Sequence, residues 1–167
     1  MKLKYLFILS AFMFLFASNS AYSQNELIEG VTVKSGIKLV WDVRTNLWEA
    51  GVGAGLRYPD LWTEKYESMD ITQSDYAVSV VVHDDAGYWV LNDESYNAHT
   101  NTTEGNPNKG LINILMEKGL SMELCGTTMA NNKWTAENLL PGIKILVKGA
   151  YVRITDLQMQ GYGYVMQ

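Results

Sequence analysis

The chain has 167 residues, of which 47% are hydrophobic and 19% charged, and these proportions describe an ordinary globular domain rather than a disordered, collagenous or coiled-coil chain. Its 13 basic and 18 acidic side chains give a net charge of −5, which repels phosphate backbones, so we expect no nucleic-acid partner. The single cysteine, Cys125, excludes an intrachain disulfide, a cysteine-based zinc site and an iron–sulfur centre. With only two histidines as well, no metal and no resident cofactor is expected.

The first 23 residues predict a secretion signal peptide. Lys2 and Lys4 precede an apolar run over residues 5–17, and Ala21 and Ser23 form a small-x-small cleavage site. The run is shorter than the roughly 20 residues that a membrane-spanning helix needs, which favours a cleaved leader over a retained anchor. We therefore expect residues 24–167 to form one domain that is exported to the periplasm or secreted and has no membrane association after cleavage.

The first half of the chain predicts two strands and one helix. Residues 37–43 form a β-branched apolar run that ends at Asp42, and residues 76–83 form a continuous apolar run that ends at His83. A continuous apolar run is typical of a parallel strand that is covered on both faces. Between the two runs, partly helical spacing predicts a helix over 59–68 with Pro59 in its first turn.

Three glycines precede that helix: Gly51, Gly53 and Gly55. Their spacing lacks the G-x-G-x-x-G form and lies well past the end of the strand, so we interpret them as a flexible loop rather than a phosphate-binding loop.

The second half alternates between helices and strands. We predict a helix at 88–96, a polar loop at 97–108 that includes His99, a helix around 111–116 ended by Gly119, a strand at 121–125, a helix at 129–134 capped by a threonine, a strand at 143–147, a helix at 149–160 and a strand at 162–166. This alternation predicts an α/β fold with a mostly parallel five-stranded sheet and helices on both faces. Ligands gather at the carboxyl ends of such strands, where Asp42, His83 and Cys125 are all expected.

Cys125 is the sharpest candidate for chemistry. A thiol at a strand end, followed by Gly126 and a helix start, lies where backbone N–H groups and the helix dipole favour the thiolate. A lone cysteine is also often just a small buried hydrophobic residue. Position alone leaves both interpretations open.

Several blocks of the sequence resemble the DsrE/DsrF-like family, of the small sulfur-relay type. The resemblance extends from about Tyr76 to the end of the chain and is thin between Asn46 and Ser74. It is carried by Val80–His83 with Tyr88–Tyr96, by Met122–Met129 around the Cys-Gly pair, by Leu139–Ile143 with its Leu-Pro-Gly, and by Asp156–Val165 with its Gln-Gly-Tyr.

The resemblance implies a flavodoxin-like three-layer αβα sandwich that assembles into homotrimers or homohexamers. In the relay members of the family a cysteine carries sulfur as a persulfide, and by motif position that residue is Cys125. The family often has His-Gly where this chain has His83 followed by Asp84. From its place at the strand end, His83 either orients or protonates a sulfur ligand, or it is a structural histidine bound to loop backbone or buried at a subunit contact. The residues Asp42, Gly126, Thr127 and Thr128 are the other pocket candidates, although an aspartate at a strand end often only caps the turn.

Two departures from the cytoplasmic relay proteins shape the functional hypotheses. The chain has an export signal, and it has no second cysteine, so a persulfide on Cys125 must be discharged by another subunit or another molecule. The leading hypothesis is an exported, sulfurtransferase-like carrier with a sulfur donor or acceptor as partner. The rival is a non-catalytic oligomeric module that binds a small molecule or protein and in which Cys125 is structural. Nucleotide or flavin binding has only fold analogy behind it.

Overall fold

The computed structural model describes residues 30–167, of which Val31–Gln167 form one compact unit. The predicted signal peptide, residues 1–23, lies outside the described residues. Within the described part of the chain, no helix is both long enough and apolar enough to cross a membrane.

The secondary structure alternates between strands and helices along the chain. The strands are β1 (Ile37–Val43), β2 (Trp48–Glu49), β3 (Val52–Gly53), β4 (Tyr76–Val82), β5 (Ser121–Cys125), β6 (Lys144–Leu146) and β7 (Gly163–Met166). The helices are α1 (Ala54–Glu67), α2 (Asp93–Thr100), α3 (Lys109–Glu117), α4 (Gly126–Asn132) and α5 (Ala150–Met159), with 3₁₀ segments at Asp84–Val90 and Ala136–Asn138.

Five of the strands form one parallel sheet in the order β6-β5-β4-β1-β7, and β2 and β3 form a separate antiparallel hairpin. This confirms the α/β fold with a five-stranded parallel sheet and is consistent with a flavodoxin-like three-layer sandwich. The chain moves outward from β1 to β6, and then α5 carries it back across the sheet to β7 on the other side of β1. In parallel sheets, the crevice outside the carboxyl strand ends near such a reversal is where ligands bind.

The sheet has two faces with different coverings. One face, which we call the packed face, contacts α1, α3, α4 and the first 3₁₀ segment over the larger hydrophobic core. The other, which we call the α5 face, contacts α5 over a small cluster that includes Val40, Val81 and Cys125. Side chains alternate between the faces along each strand, so Leu124 and Cys125 point to opposite sides.

The region before α1 differs from its prediction. The helix begins at Ala54, so Pro59 lies inside it rather than in its first turn, and the glycines belong to the β2–β3 hairpin and the helix start rather than to a flexible loop. A Cβ on Gly53 would collide with Trp89, and one on Gly55 with Val43. Glycine is therefore needed at both positions for close packing.

Three later boundaries also differ. The predicted helix over 88–96 is interrupted after Leu91, where the Asn92 side chain accepts a hydrogen bond from the Ser95 N–H (2.9 Å) and starts α2. Because α2 continues to Thr100, residues 97–100 are helical and His99 is not in a loop. The helix after β5 starts at Gly126 without a threonine cap, because Cys125 itself holds the N-cap position.

Candidate functional site

A pocket of about 200 Å³ opens at the carboxyl ends of β4 and β5. We call it the Cys125 pocket. His83 and Asp84 enter it after β4, Cys125 ends β5, and the segments that start α4 and α5 close it. Its remaining lining consists of Thr127, Thr128, Asn131, Lys148, Gly149, Ala150, Tyr151 and Val152.

Cys125 lies where the first turns of two helices converge on its sulfur. Its Sγ accepts a hydrogen bond from the Ala150 N–H at 3.3 Å, and Ala150 is the first residue of α5. Burial by itself would raise the pKa of the thiol, but the backbone N–H groups of Thr128, Ala150 and Thr127, with the Thr128 hydroxyl, favour the thiolate. The pKa of Cys125 is therefore lowered, as the strand–Gly–helix junction in the sequence suggests.

His83 is a buried imidazole with a carboxylate at each ring nitrogen. Its Nε2 lies 2.6 Å from Asp42 Oδ1, and its Nδ1 lies 3.0 Å from Asp84 Oδ2. Burial opposes the charged ring, but the hydrogen bond and charge of Asp42, with smaller contributions from Asp84 and Cys125, raise the pKa of His83 above its ordinary value. The imidazolium form of His83 is thereby favoured, and in that form it is an electrostatic partner for a thiolate in the same pocket.

Asp42 does not line the pocket; it lies behind His83. Burial would raise its pKa, but the hydrogen bonds from His83 and from the Tyr164 hydroxyl (2.5 Å to Oδ2) lower it, so Asp42 stays ionised. Burial, with the hydrogen bond to Asp42, raises the pKa of Tyr164 to about 12. A chain of contacts thus runs from Tyr164 on β7 through Asp42 and His83 to Asp84 at the pocket.

Asp84 has an unusual backbone conformation where it enters the pocket. Its φ is +47°, in the left-handed region that glycine adopts most easily and that aspartate tolerates better than most residues. Its N–H donates to Thr128 Oγ1 at 3.0 Å, while its carboxylate faces His83. Strain of this kind is common at functional sites, where the surroundings hold an unusual backbone in place.

The structure brings most of the sequence candidates together. Cys125, His83, Thr127 and Thr128 all line the pocket. Gly126 does not: a Cβ there would lie 2.8 Å from the Leu146 carbonyl, so it allows α4 to approach β6.

Sequence reasoning missed the pocket residues Lys148, Ala150 and Tyr151, and it gave Tyr164 no part in the site. The one local signal for this segment is Gly149, whose positive φ (+88°) turns the chain into α5 over the cysteine. No local pattern places Tyr164 beside Asp42, because the two residues lie 122 positions apart.

Comparison with known proteins agrees with this architecture. The chain is similar to a solved structure described as "Protein of Unknown Function MTH1491" from Methanobacterium thermoautotrophicum, with a TM-score of 0.56 and 16% identity over 78% of this chain and 99% of that one. At that identity the likeness shows the fold alone. None of the curated proteins matches the chain. The DsrE/DsrF-like family profile matches residues 63–166, more than half of the chain and all of the Cys125 pocket, and the protein therefore belongs to the DsrE/DsrF-like family.

Proposed function

We propose that this protein is an exported DsrE-like carrier that binds or transfers sulfane sulfur as a persulfide on Cys125. The observation that supports the proposal best is the group of N–H donors at the starts of α4 and α5 that converge on Sγ and lower the pKa of the thiol. The thiolate, rather than the thiol, is the nucleophile in sulfur exchange. His83 lies in the same pocket, and its raised pKa favours the positively charged form that would stabilise the thiolate.

The proposed reaction is a simple exchange at sulfur. The Cys125 thiolate attacks the outer sulfur of a donor R–S–SH, a bond forms between Sγ and that sulfur, and the donor S–S bond breaks. The donor leaves as the thiolate R–S⁻, and Cys125 becomes Cys–S–SH. No external oxidant is needed, because the sulfane sulfur moves at an unchanged oxidation state. The His83 imidazolium favours the anionic forms of both the thiol and its persulfide.

A partner is part of the proposal, because the described chain has one cysteine and it cannot resolve its own persulfide. Self-association into a trimer or hexamer is supported by apolar side chains left exposed on and before α5, beside the pocket. Val147, Tyr151 and Val152 are 82%, 63% and 58% exposed. Sedimentation of the wild type and of Val152→Lys tests this: we expect an assembly that the lysine dissociates, and a monomeric wild type would contradict it.

Mass spectrometry tests the sulfur chemistry directly. After treatment with polysulfide, we expect an adduct of about 32 Da, one sulfur atom, on Cys125, removed by dithiothreitol and absent in Cys125→Ser. A second measurement is the rate of iodoacetamide alkylation against pH, which we expect to have its midpoint below the ordinary value for a cysteine. An unloaded Cys125 under conditions that load a control thiol would contradict the proposal.

The rival function is a binding module in which Cys125 is structural. It is favoured by the burial of Cys125, which is only 6% exposed and packs with Val40 and Val81. In that case Cys125→Ser lowers the free energy of unfolding and leaves ligand binding intact, and the thiol reacts slowly at every pH.

Export is tested separately by N-terminal sequencing of the protein recovered from the periplasm of an expressing bacterium. We expect the mature chain to begin at Gln24, the residue after Ser23. An intact Met1 in the periplasmic or secreted fraction would contradict cleavage.

A further inference from the structure

A second cleft lies next to the Cys125 pocket and has no part in the proposed sulfur chemistry. It has a volume of about 270 Å³ and shares Asp84 with the pocket. We call it the aromatic cleft, because the rings of Tyr88, His99 and Trp134 line it. Its polar lining consists of Asn46, Asp84, Asp85 and Asn132.

The aromatic rings are held by one another and by a hydrogen bond. His99 stacks on Tyr88 with ring centroids 5.0 Å apart, and the rings of His99 and Trp134 are nearly perpendicular with centroids 5.3 Å apart. The Tyr88 hydroxyl donates to Asn46 Oδ1 at 2.6 Å. The first 3₁₀ segment, α2 and the segment that follows α4 therefore form one fixed wall. A fixed wall lowers the entropy that is lost when a ligand binds.

The cleft is lined by two carboxylates, and its other titratable side chains are Tyr88 and His99. Asp84 and Asp85 are both exposed, and none of the residues that line the cleft is a lysine or an arginine. The charge of Asp84 is partly matched by His83, but Asp85 forms no ion pair within the described part of the chain. An anion is repelled by such a site, and a neutral ligand such as a sugar makes no use of its charge. An organic cation uses both the carboxylates and the negatively charged faces of aromatic rings.

We propose that the aromatic cleft is a binding site for an organic cation, a substituted ammonium group, held by the carboxylates of Asp84 and Asp85 and by the rings of Tyr88 and Trp134. The site is independent of Cys125 chemistry, because Cys125 does not line it. Since Asp84 belongs to both cavities, a ligand in the cleft lies beside whatever occupies the Cys125 pocket.

The probe is choline, and its neutral match is 3,3-dimethylbutan-1-ol, which has the same shape without the charge. Both are titrated by NMR into the purified protein in the Cys125→Ser background, so that failure of the sulfur chemistry cannot affect the result. We expect saturable shifts of the Trp134 indole N–H and the His99 ring with choline, and at least about fivefold weaker binding of the alcohol.

Variants locate the charge. We expect Asp85→Asn to weaken choline binding by about three- to tenfold, because one of two carboxylates is lost. Glu104→Gln, which removes an exposed carboxylate that lines neither cavity, is the matched control and leaves binding unchanged. Trp134→Leu is expected to abolish the shifts at His99, with circular dichroism as the check on folding.

Four results would overturn the proposal. Equal affinity for choline and the alcohol shows an apolar cleft only, and unchanged affinity in Asp85→Asn places the cation elsewhere. Glucose is titrated in the same way. If its NMR shifts saturate at lower concentrations than those of choline, the cleft is a sugar site. An absence of saturable choline shifts at Trp134 and His99 shows no cation site.

Discussion

The two faces of the five-stranded sheet bury different kinds of side chain. On the packed face, β4 and β5 present Val78, Val80, Val82, Met122 and Leu124, all within the large apolar core. On the α5 face, the sheet strands and the positions after them bury Asp42, Ser79, His83, Glu123 and Cys125. Neighbouring residues of a strand point to opposite faces. Val82 and Leu124 therefore pack in the core, and the residues that follow them, His83 and Cys125, lie at the site.

The α5 face can bury polar groups because most of them have a partner. Burial of a polar or charged group is costly unless it has a partner, and several on this face do. Asp42 pairs with His83, and the Cys125 sulfur accepts the Ala150 N–H. Glu123 accepts two hydrogen bonds from Arg153, at 2.8 and 3.0 Å. The packed face stabilises the fold by apolar burial, and the α5 face keeps its reactive groups by pairing.

The largest effect is expected on the packed face. Leu124 is fully buried, so Leu124→Ala should lower the free energy of unfolding by about 3 kcal/mol, through lost apolar burial and the cavity that remains. Val33→Ala, at an exposed position before β1, is the control and should change it by less than about 0.5 kcal/mol. Urea unfolding measures both, and similar losses in the two variants would contradict the division between the faces.

A smaller loss is expected when a pair on the α5 face is broken. Arg153→Met leaves the Glu123 carboxylate, 1% exposed, without its cation. Because Arg153 is one-third exposed and water reaches the pair, we expect a loss of about 2 kcal/mol rather than the larger values of fully buried pairs. Adding Glu123→Gln should restore at least half of that loss in urea unfolding. A double variant as unstable as Arg153→Met would show that packing, not the unpaired charge, is the cause.

The pairing of His83 predicts a dependence of stability on pH. The pKa of His83 is raised in the folded state. The stabilisation is therefore fully present below the unfolded pKa of about 6.5 and is lost as pH rises through the folded pKa. The free energy of unfolding changes by at most about 1.4 kcal/mol per pH unit. The lowered pKa of Cys125 acts in the opposite sense, so the experiment uses the Cys125→Ser background.

The measurement is urea unfolding between pH 6 and 9 in that background, with and without His83→Gln. We expect His83→Gln to remove the decline in stability and His99→Gln to leave it in place. NMR titration should give His83 a pKa above the ordinary value for a histidine. If the stability of His83→Gln still declines as pH rises, a group other than His83 causes the decline.

The smallest effect concerns a single hydroxyl near the sulfur. Thr128→Val keeps the shape of a buried side chain but removes the hydroxyl that helps to lower the pKa of Cys125. Because that hydroxyl also accepts the Asp84 N–H, an unchanged circular dichroism spectrum is the check on folding. We expect alkylation of Cys125 at pH 7 to slow by about threefold, in keeping with the loss of one hydrogen bond. Thr127→Val is the control, because Thr127 acts through its backbone N–H. Equal rates in the wild type and Thr128→Val would show that the backbone donors alone favour the thiolate.

Local patterns were enough for most of the fold and for two members of the site. The apolar runs ending at His83 and Cys125 predict β4 and β5 almost to the residue, and with them the place of both side chains at one edge of the sheet. Local patterns failed where close packing decides the structure. Nothing near Gly55 in the sequence shows that it lies against Val43, so the start of α1 was placed too late.

The sequence by itself determined the order of strands and helices, the parallel sheet and the strand–Gly–helix junction at Cys125, because these depend on residues close to one another in the chain. Tertiary structure alone decided which partner each buried polar group has. Ala150 reaches the Cys125 sulfur across 25 positions, and Tyr164 reaches Asp42 across 122. Hydrogen bonds act over about 3 Å and depend on direction, so only the folded chain brings such donors into line with their acceptors.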